Sequence, residues 1–299
     1  MSCLRLIVVL ATLLPAALFG HHDVNAVILG LDKKIKAGPT ADLHYQRALE
    51  YRALRNPSMA EEDLRAALKL DSKHRGARTA LILLLETPEA MTLAKSYLKS
   101  STDPKHRLEA LYLIAQVADR SGDPKTALST CRQIQKDFPD HPSEVDLLHA
   151  RLLLTSGKPG EAAEVLKTAH QKHKSVVLRN AWIDAALSAG ETAETLPIIE
   201  KEIASSRFRA SWLIRRARAH LILNQPDMSR PDLNSALLEL NSRIQPDRPD
   251  LTLIADRGLA LTLLGSRNLA RRDLEKLKKS TLSPSAYVIL EAELLPKDQ

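Results

Sequence analysis

The sequence ADLHYQRALEYRALRNPSMAEEDLRAALKLDSKH, residues 41–74, carries apolar side chains at spacings of three and four residues. The small ones are Ala48, Ala60 and Ala67, and the larger ones are Tyr51, Leu54, Leu64, Leu68 and Leu70. This spacing predicts two amphipathic α-helices, each with one apolar face. Pro57 separates the helices, because a proline disfavours helical backbone at the residue before it, here Asn56. The stretch therefore predicts a helix–turn–helix unit in which small side chains allow the helices to approach closely.

The same pattern recurs along the chain at intervals of about 34 residues, apart from the last interval, where the connection with Pro246 and Pro249 lengthens the loop. Units begin near residues 41, 108, 143, 178, 210 and 251, with a weaker one near residue 75. The small residue of the first helix recurs as Ala48, Ala115, Ala150, Ala185, Ala217 and Gly258. Glycine at position 258 costs its helix about 1 kcal/mol relative to alanine, and close helix packing is the usual compensation. Repetition on this scale predicts a stack of helix pairs, each of which buries its apolar face against its neighbours.

Composition supports a helical protein. Hydrophobic residues make up 44% of the chain and aromatic residues only 3%, so Leu and Ala must build the core, which favours helices over sheets. The chain has 43 basic and 36 acidic side chains, a formal charge of +7, which suits an acidic partner without specifying one. If the N-terminus is removed, Cys131 is the one cysteine left and no intramolecular disulfide can form. Its place on a buried helix face favours a small core side chain over a nucleophile.

The repeated unit resembles the tetratricopeptide repeat, a family of helix–turn–helix units of about 34 residues. The residues that carry the resemblance are Ala48, Tyr51, Ala60, Leu64 and Ala67. The chain departs from the family at three positions: His44 stands where the family prefers tryptophan, Arg47 where it prefers leucine and Ser72 where it prefers proline. The resemblance implies an all-α fold, an α-solenoid of antiparallel helix pairs that form a right-handed superhelix.

The resemblance also implies a domain organisation. Residues 41–282 are interpreted as about seven repeats of the tetratricopeptide type. Residues 27–40 place Val27, Ile28, Leu31 and Ile35 on one face, and we interpret them as an N-terminal capping helix. Residues 283–299 contain the apolar run YVILEAELL and are interpreted as a C-terminal capping helix and tail.

Residues 1–20, MSCLRLIVVLATLLPAALFG, show the three parts of a secretory signal peptide. Arg5 precedes an apolar run, Pro15 breaks the run, and small residues follow. The positions that suit cleavage follow Ala17, Gly20 and Ala26. The segment predicts export to the periplasm or the extracellular space. The alternative is an uncleaved signal anchor that tethers the chain to a membrane.

The familiar catalytic signatures GxSxG, HExxH, paired CxxC and the phosphate loop do not occur in the sequence. We therefore expect no enzyme activity, no cofactor and no metal. Two histidine groups invite a metal interpretation, namely residues 21–23 (His21, His22 and Asp23) and the pair His170 and His173. The first lies where terminal histidines are usually solvated. The second is surrounded by side chains that repel a cation: Lys167, Lys172 and Lys174.

The family resemblance implies that the first helices of the pairs line a concave groove, which binds a peptide or a partner helix. The residues that map to this groove are Tyr45, Leu49, Arg52, Tyr112, Gln116, Asp119, Leu147, Arg151, Trp182, Ile214, Arg218 and Leu221. Aromatic, aliphatic and arginine side chains suit a binding interface. The alternative is that several of them pack against adjacent repeats. Tyr45 and Leu49 stand where chaperone-binding members carry part of a carboxylate clamp, so we expect no chaperone tail as ligand.

These observations predict a non-catalytic scaffold that binds a protein or peptide in the cell envelope or periplasm. Two basic clusters support an alternative function. The first contains Arg207, Arg209, Arg215, Arg216 and Arg218, and the second contains Arg271, Arg272, Lys276, Lys278 and Lys279. Such clusters attach to an anionic lipid or an acidic polymer, or they are simply solvated surface. We expect no nucleic acid, because Phe208 and Trp212 are the only aromatic side chains near the first cluster that would stack on bases.

Overall fold

The computed structural model describes residues 24–280 and 286–295, and within them the chain forms sixteen α-helices and no strand. The helices are α1 (Val24–Ala37), α2 (Ala41–Ala53), α3 (Pro57–Leu70), α4 (Arg75–Leu84), α5 (Thr87–Ser100), α6 (Pro104–Arg120), α7 (Pro124–Asp137), α8 (Ser143–Thr155), α9 (Pro159–His173), α10 (Val176–Ser188), α11 (Leu196–Ser205), α12 (Ala210–Ile222), α13 (Pro226–Arg243), α14 (Leu251–Leu263), α15 (Arg267–Lys278) and α16 (Val288–Leu294). The predicted signal peptide at residues 1–20 and the histidines at residues 21–23 lie outside the described residues.

The chain divides into two compact units, Met1–Ala90 and Met91–Gln299. In the first unit, α1 contacts α2, α2 contacts α3, and α3 contacts α4. In the second unit, each helix from α6 to α10 and from α11 to α16 contacts the next one in the chain. First helices of successive pairs also contact one another, α8 with α10, α10 with α12, and α12 with α14. The predicted all-α solenoid is confirmed as the fold class.

Most turns between paired helices share a backbone feature, a residue with positive φ. A residue in the left-handed region stands seven positions after the small residue of the first helix, as Arg55 does after Ala48. The residues that follow this spacing are Arg55, Gly122, Gly157, Asn224 and Gly265, and Gly190 takes the same conformation five positions after Ala185. Proline then often begins the second helix, where its missing N–H leaves no hydrogen bond unmade. Pro197 follows this rule, because α11 begins at Leu196 and the proline therefore lies in its first turn.

The small residues of the first helices are buried where helices approach most closely. Ala48, Ala115 and Ala217 have no exposed surface. The helices approach still more closely at Gly258, where a Cβ atom would lie 2.7 Å from Cδ2 of Leu290 and 3.4 Å from Cβ of Asp273. The missing side chain at position 258 therefore makes room for a leucine of α16. That contact supplies the packing that offsets the helix cost of glycine.

Three helix pairs share an ion pair at the same position. Each joins an arginine of the first helix to an aspartate sixteen residues later on the second, and Nε and Nη2 of the guanidinium each donate to one carboxylate oxygen. The pairs are Arg47 with Asp63 (2.7 and 2.6 Å), Arg216 with Asp232 (2.7 and 2.7 Å) and Arg257 with Asp273 (2.8 and 2.6 Å). The three aspartates are buried. The hydrogen bonds to these carboxylates raise the pKa of each arginine. Bidentate geometry fixes the angle between the two helices as well as their separation.

Replacing Asp232 with Ala should lower the free energy of unfolding by about 2 kcal/mol, because the half-buried Arg216 loses its counter-charge. The double variant Arg216→Met with Asp232→Ala should recover to within about 1 kcal/mol of the unmodified chain, since it leaves no unpaired charge. Urea midpoints followed by circular dichroism measure both. Equal destabilisation by the single and the double variant would contradict a structural ion pair at this position.

Candidate functional site

The C-terminal helix α16 lies against the first helices of the second unit. It contacts α14 and α15, and it also contacts α8, which is three helix pairs earlier in the chain than α14. Tyr287, Leu290 and Leu294 are buried and share one helical face. The interpretation of residues 283–299 as a C-terminal capping helix and tail stays a prediction. The contact with α8 places the C-terminal segment against a first helix that is distant in the sequence.

A hollow of about 430 Å³ opens beside α16. Apolar side chains from α8, α10 and the C-terminal segment line most of it. We call it the apolar hollow and define it by Leu147, Leu154, Val177, Ala181, Val288 and Ile289. Val177 stands at its edge with 62% of its surface exposed. An exposed apolar surface of this kind, framed by charged groups, is typical of a protein-binding site.

The charged side chains around the apolar hollow are bound to one another. Arg151 forms a bidentate pair with Asp119 of α6, with Nη1 at 3.3 Å from Oδ1. Asp184 of α10 accepts hydrogen bonds from Arg215 at 3.0 and 2.6 Å and from Arg218 at 3.0 Å. These pairs join consecutive helix pairs across the face. The rim of the hollow is therefore polar but internally compensated, and its floor is apolar.

A smaller cavity of about 110 Å³ lies beneath the beginning of the C-terminal segment. Asp184, Arg215 and Asp256 line it on one side, and Tyr287 and Leu290 line it on the other. Burial raises the pKa of Asp256 to about 6, against the opposing effect of the positive charge of Arg215. The cavity thus holds a carboxyl group whose charge state changes near neutral pH.

The predicted groove residues of the second unit fall into three environments. Leu147 and Arg151 line the apolar hollow, and Asp119 holds Arg151. Trp182, Ile214 and Arg218 are buried in contacts with neighbouring helices, as the alternative interpretation allowed. The remaining residues are Tyr112 and Gln116, which share a hydrogen bond, and Leu221, which is exposed. Burial raises the pKa of Tyr112. The structure therefore brings together part of the predicted set.

The predicted groove residues of the first unit are Tyr45, Leu49 and Arg52. The Tyr45 ring lies 5.0 Å from the ring of His74 and against Gly76, where a Cβ atom would come within 2.8 Å of the tyrosine. Leu49 and Arg52 are exposed. The groove role of these three residues stays a prediction.

Sequence reasoning missed the part of the site that the C-terminal segment provides. Tyr287, Leu290 and Leu294 follow the spacing i, i+3, i+7, which indicates one apolar face. That signal indicates that the apolar face must be buried against other helices. It does not show that α8 is one of them, because this contact depends on how the intervening helix pairs stack. Val177 and Ala181 also escaped notice, since they lie outside the positions that the family pattern marks.

A buried polar network joins α7, α8 and α9 in the second unit. Asp146 lies 3.0 Å from Nε2 of His141 and accepts a hydrogen bond from Gln135 at 2.8 Å. Nδ1 of His149 lies 2.9 Å from Oε1 of Gln135, and a carbonyl oxygen only accepts, so this histidine nitrogen is the donor. Burial lowers the pKa of His149 to about 4. The network is a structural feature that works with a neutral His149.

Neither metal binding nor thiol chemistry finds support in the described residues. His170 lies 3.0 Å from the carbonyl oxygen of Ser175, and its ring stacks on Trp182 at 6.3 Å. Within residues 24–280 and 286–295, no three His, Cys, Asp or Glu side chains are placed to hold a metal ion. Cys131 is buried, and this burial raises its pKa to about 12. In the same residues, no helix combines the length and apolar character needed to cross a membrane.

Comparison with known proteins agrees with the fold. Residues 41–74 match the family model of the tetratricopeptide repeat. A tetratricopeptide repeat protein from Parabacteroides merdae shares 16% identity over 85% of this chain and 99% of its own, with a TM-score of 0.57. The TPR domain of P58(IPK) shares 16% identity with this chain, covers 91% of this chain and 93% of its own, and has a TM-score of 0.29. A chain of the Naa15/Naa10 structure with bound HypK-THB shares 14% identity, covers 86% of this chain and 56% of its own, and has a TM-score of 0.33. Both scores are too low to support an argument. No curated protein sequence matches the chain.

Residues 41–74 are thus a tetratricopeptide repeat, and the chain has the fold of tetratricopeptide repeat proteins. This fold class supports a protein-interaction scaffold.

The chain should lose stability in mild acid because of His149. Its pKa is about 4 in the folded state and about 6.5 in the unfolded state, so the unfolded chain binds the extra proton as the pH falls below 6.5. We expect a loss of about 2 kcal/mol from this residue between about pH 7 and pH 5. His149→Gln should remove that loss, whereas His106→Gln, at an exposed site, should not. Urea midpoints at both pH values measure it, and parallel losses in all three proteins would contradict the assignment.

Proposed function

We propose that this protein is a non-catalytic scaffold that binds a protein or peptide partner through the apolar hollow of its second unit. The observation that carries the proposal is the exposed apolar lining from α8 and α10, surrounded by arginines and aspartates that already bind one another. A partner gains free energy by covering that lining and breaks none of these ion pairs.

A macromolecular partner fits the site better than a small metabolite does. Small-molecule sites combine an enclosed cavity with a few converging polar groups that fix the ligand. Here the polar groups nearest the hollow, Arg151, Asp184 and Arg215, are engaged with other side chains. The sequence also lacks the catalytic signatures that would favour a reaction at this face.

The alternative function, attachment to an anionic lipid or acidic polymer through residues 207–218, has less support. Three arginines of that cluster are committed to ion pairs, Arg215 and Arg218 with Asp184, and Arg216 with Asp232. The guanidinium of Arg207 lies over the Phe208 ring at 5.2 Å. Electrostatic attachment would weaken steeply with added salt, whereas apolar docking would not.

We further propose that the scaffold acts outside the cytoplasm, in the periplasm or the extracellular space. Residues 1–20 support this proposal through their basic, apolar and small-residue segments. Mass spectrometry of the N-terminus, after fractionation of cells that produce the full chain, should find a new N-terminus after Ala17, Gly20 or Ala26 in the exported fraction. An exported chain that retains Met1 would indicate the signal anchor instead, and an intact chain confined to the cytosol would overturn export.

The scaffold proposal is tested by two adjacent valines. Val176 and Val177 open α10 and are 60% and 62% exposed, but only Val177 lines the hollow. Aspartate is well tolerated in the first turn of a helix, so neither Val176→Asp nor Val177→Asp should impair folding. We expect Val177→Asp to weaken retention of partners from a cell extract by about tenfold, since it places a charge in an apolar site.

Val176→Asp should retain the same partners as the unmodified chain, at low and at high salt. Quantitative mass spectrometry of the retained proteins measures the ratio for each variant. If both variants retain the same partners equally well, the hollow is not the binding site. If retention disappears at high salt with both, the electrostatic alternative replaces the proposal.

A further inference from the structure

The binding face of the second unit already holds a helix, α16. Its residues Tyr287, Leu290 and Leu294 belong to the same buried apolar cluster as Ile214 of α12 and Leu259 of α14. The helix also contacts α8. It therefore occupies the face of the first helices next to the apolar hollow, where a partner would dock.

Gly258 shows that this face is shaped for the helix. A leucine side chain from α16 takes the space that a Cβ atom at position 258 would need. At the corresponding position α2, α6, α8 and α12 carry alanine, namely Ala48, Ala115, Ala150 and Ala217. The glycine of α14 thus coincides with the packing of Leu290 of α16 at this position.

Charge complementarity accompanies the apolar fit. Glu291 forms an ion pair with Lys278 of α15, with Nζ 2.5 Å from Oε1. Burial lowers the pKa of Arg218 on α12, and the negative charges of Asp184 and Glu293 oppose that shift. Arg267 donates to the carbonyl oxygen of Leu294 at 2.9 Å and so satisfies the C-terminal end of the helix. The face therefore recognises acidic side chains and a helix end, in addition to three apolar anchors.

We propose that the face formed by α8, α12, α14 and α15 binds acidic amphipathic helices with apolar residues at i, i+3 and i+7, and that α16 is its resident copy, which a partner helix of the same pattern displaces. This inference rests on the proposed function, because it names the class of partner and the step that controls its access.

The protonation of Asp256 links the docking of α16 to pH. Docking of residues 286–295 covers this carboxyl group, which faces Arg215 of α12, Asp184 of α10, Arg243 of α13 and Asp250 at the start of α14. Burial raises its pKa, so the docked state holds the proton more tightly than a released state in which water reaches the carboxyl group. Docking should therefore weaken as the pH rises through about 6, and Asp256→Asn should remove this pH dependence.

The test uses the full chain and a fluorescent peptide of residues 286–299 as the probe. Leu290→Asp in the chain places a charge at a site that is 1% exposed and releases the resident helix, whereas Leu295→Asp, at 59% exposure, is the matched control. We expect Leu290→Asp to bind the peptide about tenfold more tightly than the unmodified chain, since no resident copy competes. Leu295→Asp should bind it as the unmodified chain does. Fluorescence anisotropy measures the affinities.

Hydrogen exchange tests the proposal with a second variant, even if Leu290→Asp does not fold. Gly258→Ala favours the α14 helix but pushes Leu290 out, so amide exchange at residues 286–295 should accelerate about tenfold while α14 stays protected. Excess peptide should accelerate the same amides in the unmodified chain. Equal peptide affinity for all chains, or unchanged exchange in Gly258→Ala, would overturn this proposal. Neither result depends on partners from an extract, so a failure of the scaffold proposal is recognised separately in the Val177→Asp comparison.

Discussion

The fold depends on the close approach of helices at one small residue in each first helix. Apolar faces here are built from Leu and Ala, and they become shielded from water only when neighbouring helices come close enough to interlock. Ala48, Ala115 and Ala217 allow this approach and have no exposed surface. Gly258 lacks even the Cβ atom of alanine, and a leucine from another helix occupies the space. At that position, the packing that joins neighbouring helices also holds Leu290 of the C-terminal helix.

Buried ion pairs fix the geometry that this packing leaves open. Within helix pairs, an arginine next to the small residue binds an aspartate of the second helix, as Arg216 binds Asp232. Between consecutive pairs, Asp184 binds Arg215 and Arg218. Because desolvation offsets most of the Coulomb attraction, such pairs contribute little net stability, and their bidentate geometry selects one angle and register. They also engage Arg215, Arg216 and Arg218 of the first basic cluster, whereas Arg207 and Arg209 are exposed.

The sequence predicts local structure well because helix periodicity, proline positions and turn residues act within a few positions of one another. It indicates which residues face inward, but Trp182 and Ile214 show that it does not separate a groove from an inter-repeat contact. Curvature is the sum of small rotations between pairs, and only this sum decides that α16 meets α8. Arg47 is instructive in another way. It departs from the family pattern and forms an ion pair with an aspartate sixteen residues later. An arginine and an aspartate at the same spacing form this ion pair in two further repeats, so the sequence contained the signal for it.

A resident helix sets a threshold for partners. A segment tethered to its own site competes at an effective concentration in the millimolar range, so a free helix with identical contacts would seldom replace it. A successful partner needs contacts that α16 does not make. The apolar hollow lies directly beside the resident helix, and Leu147, Leu154 and Val177 remain there to be covered. A longer amphipathic helix covers both surfaces at once and so gains the extra free energy. Under this proposal, the specificity of the face depends on the apolar side chains that α16 leaves uncovered.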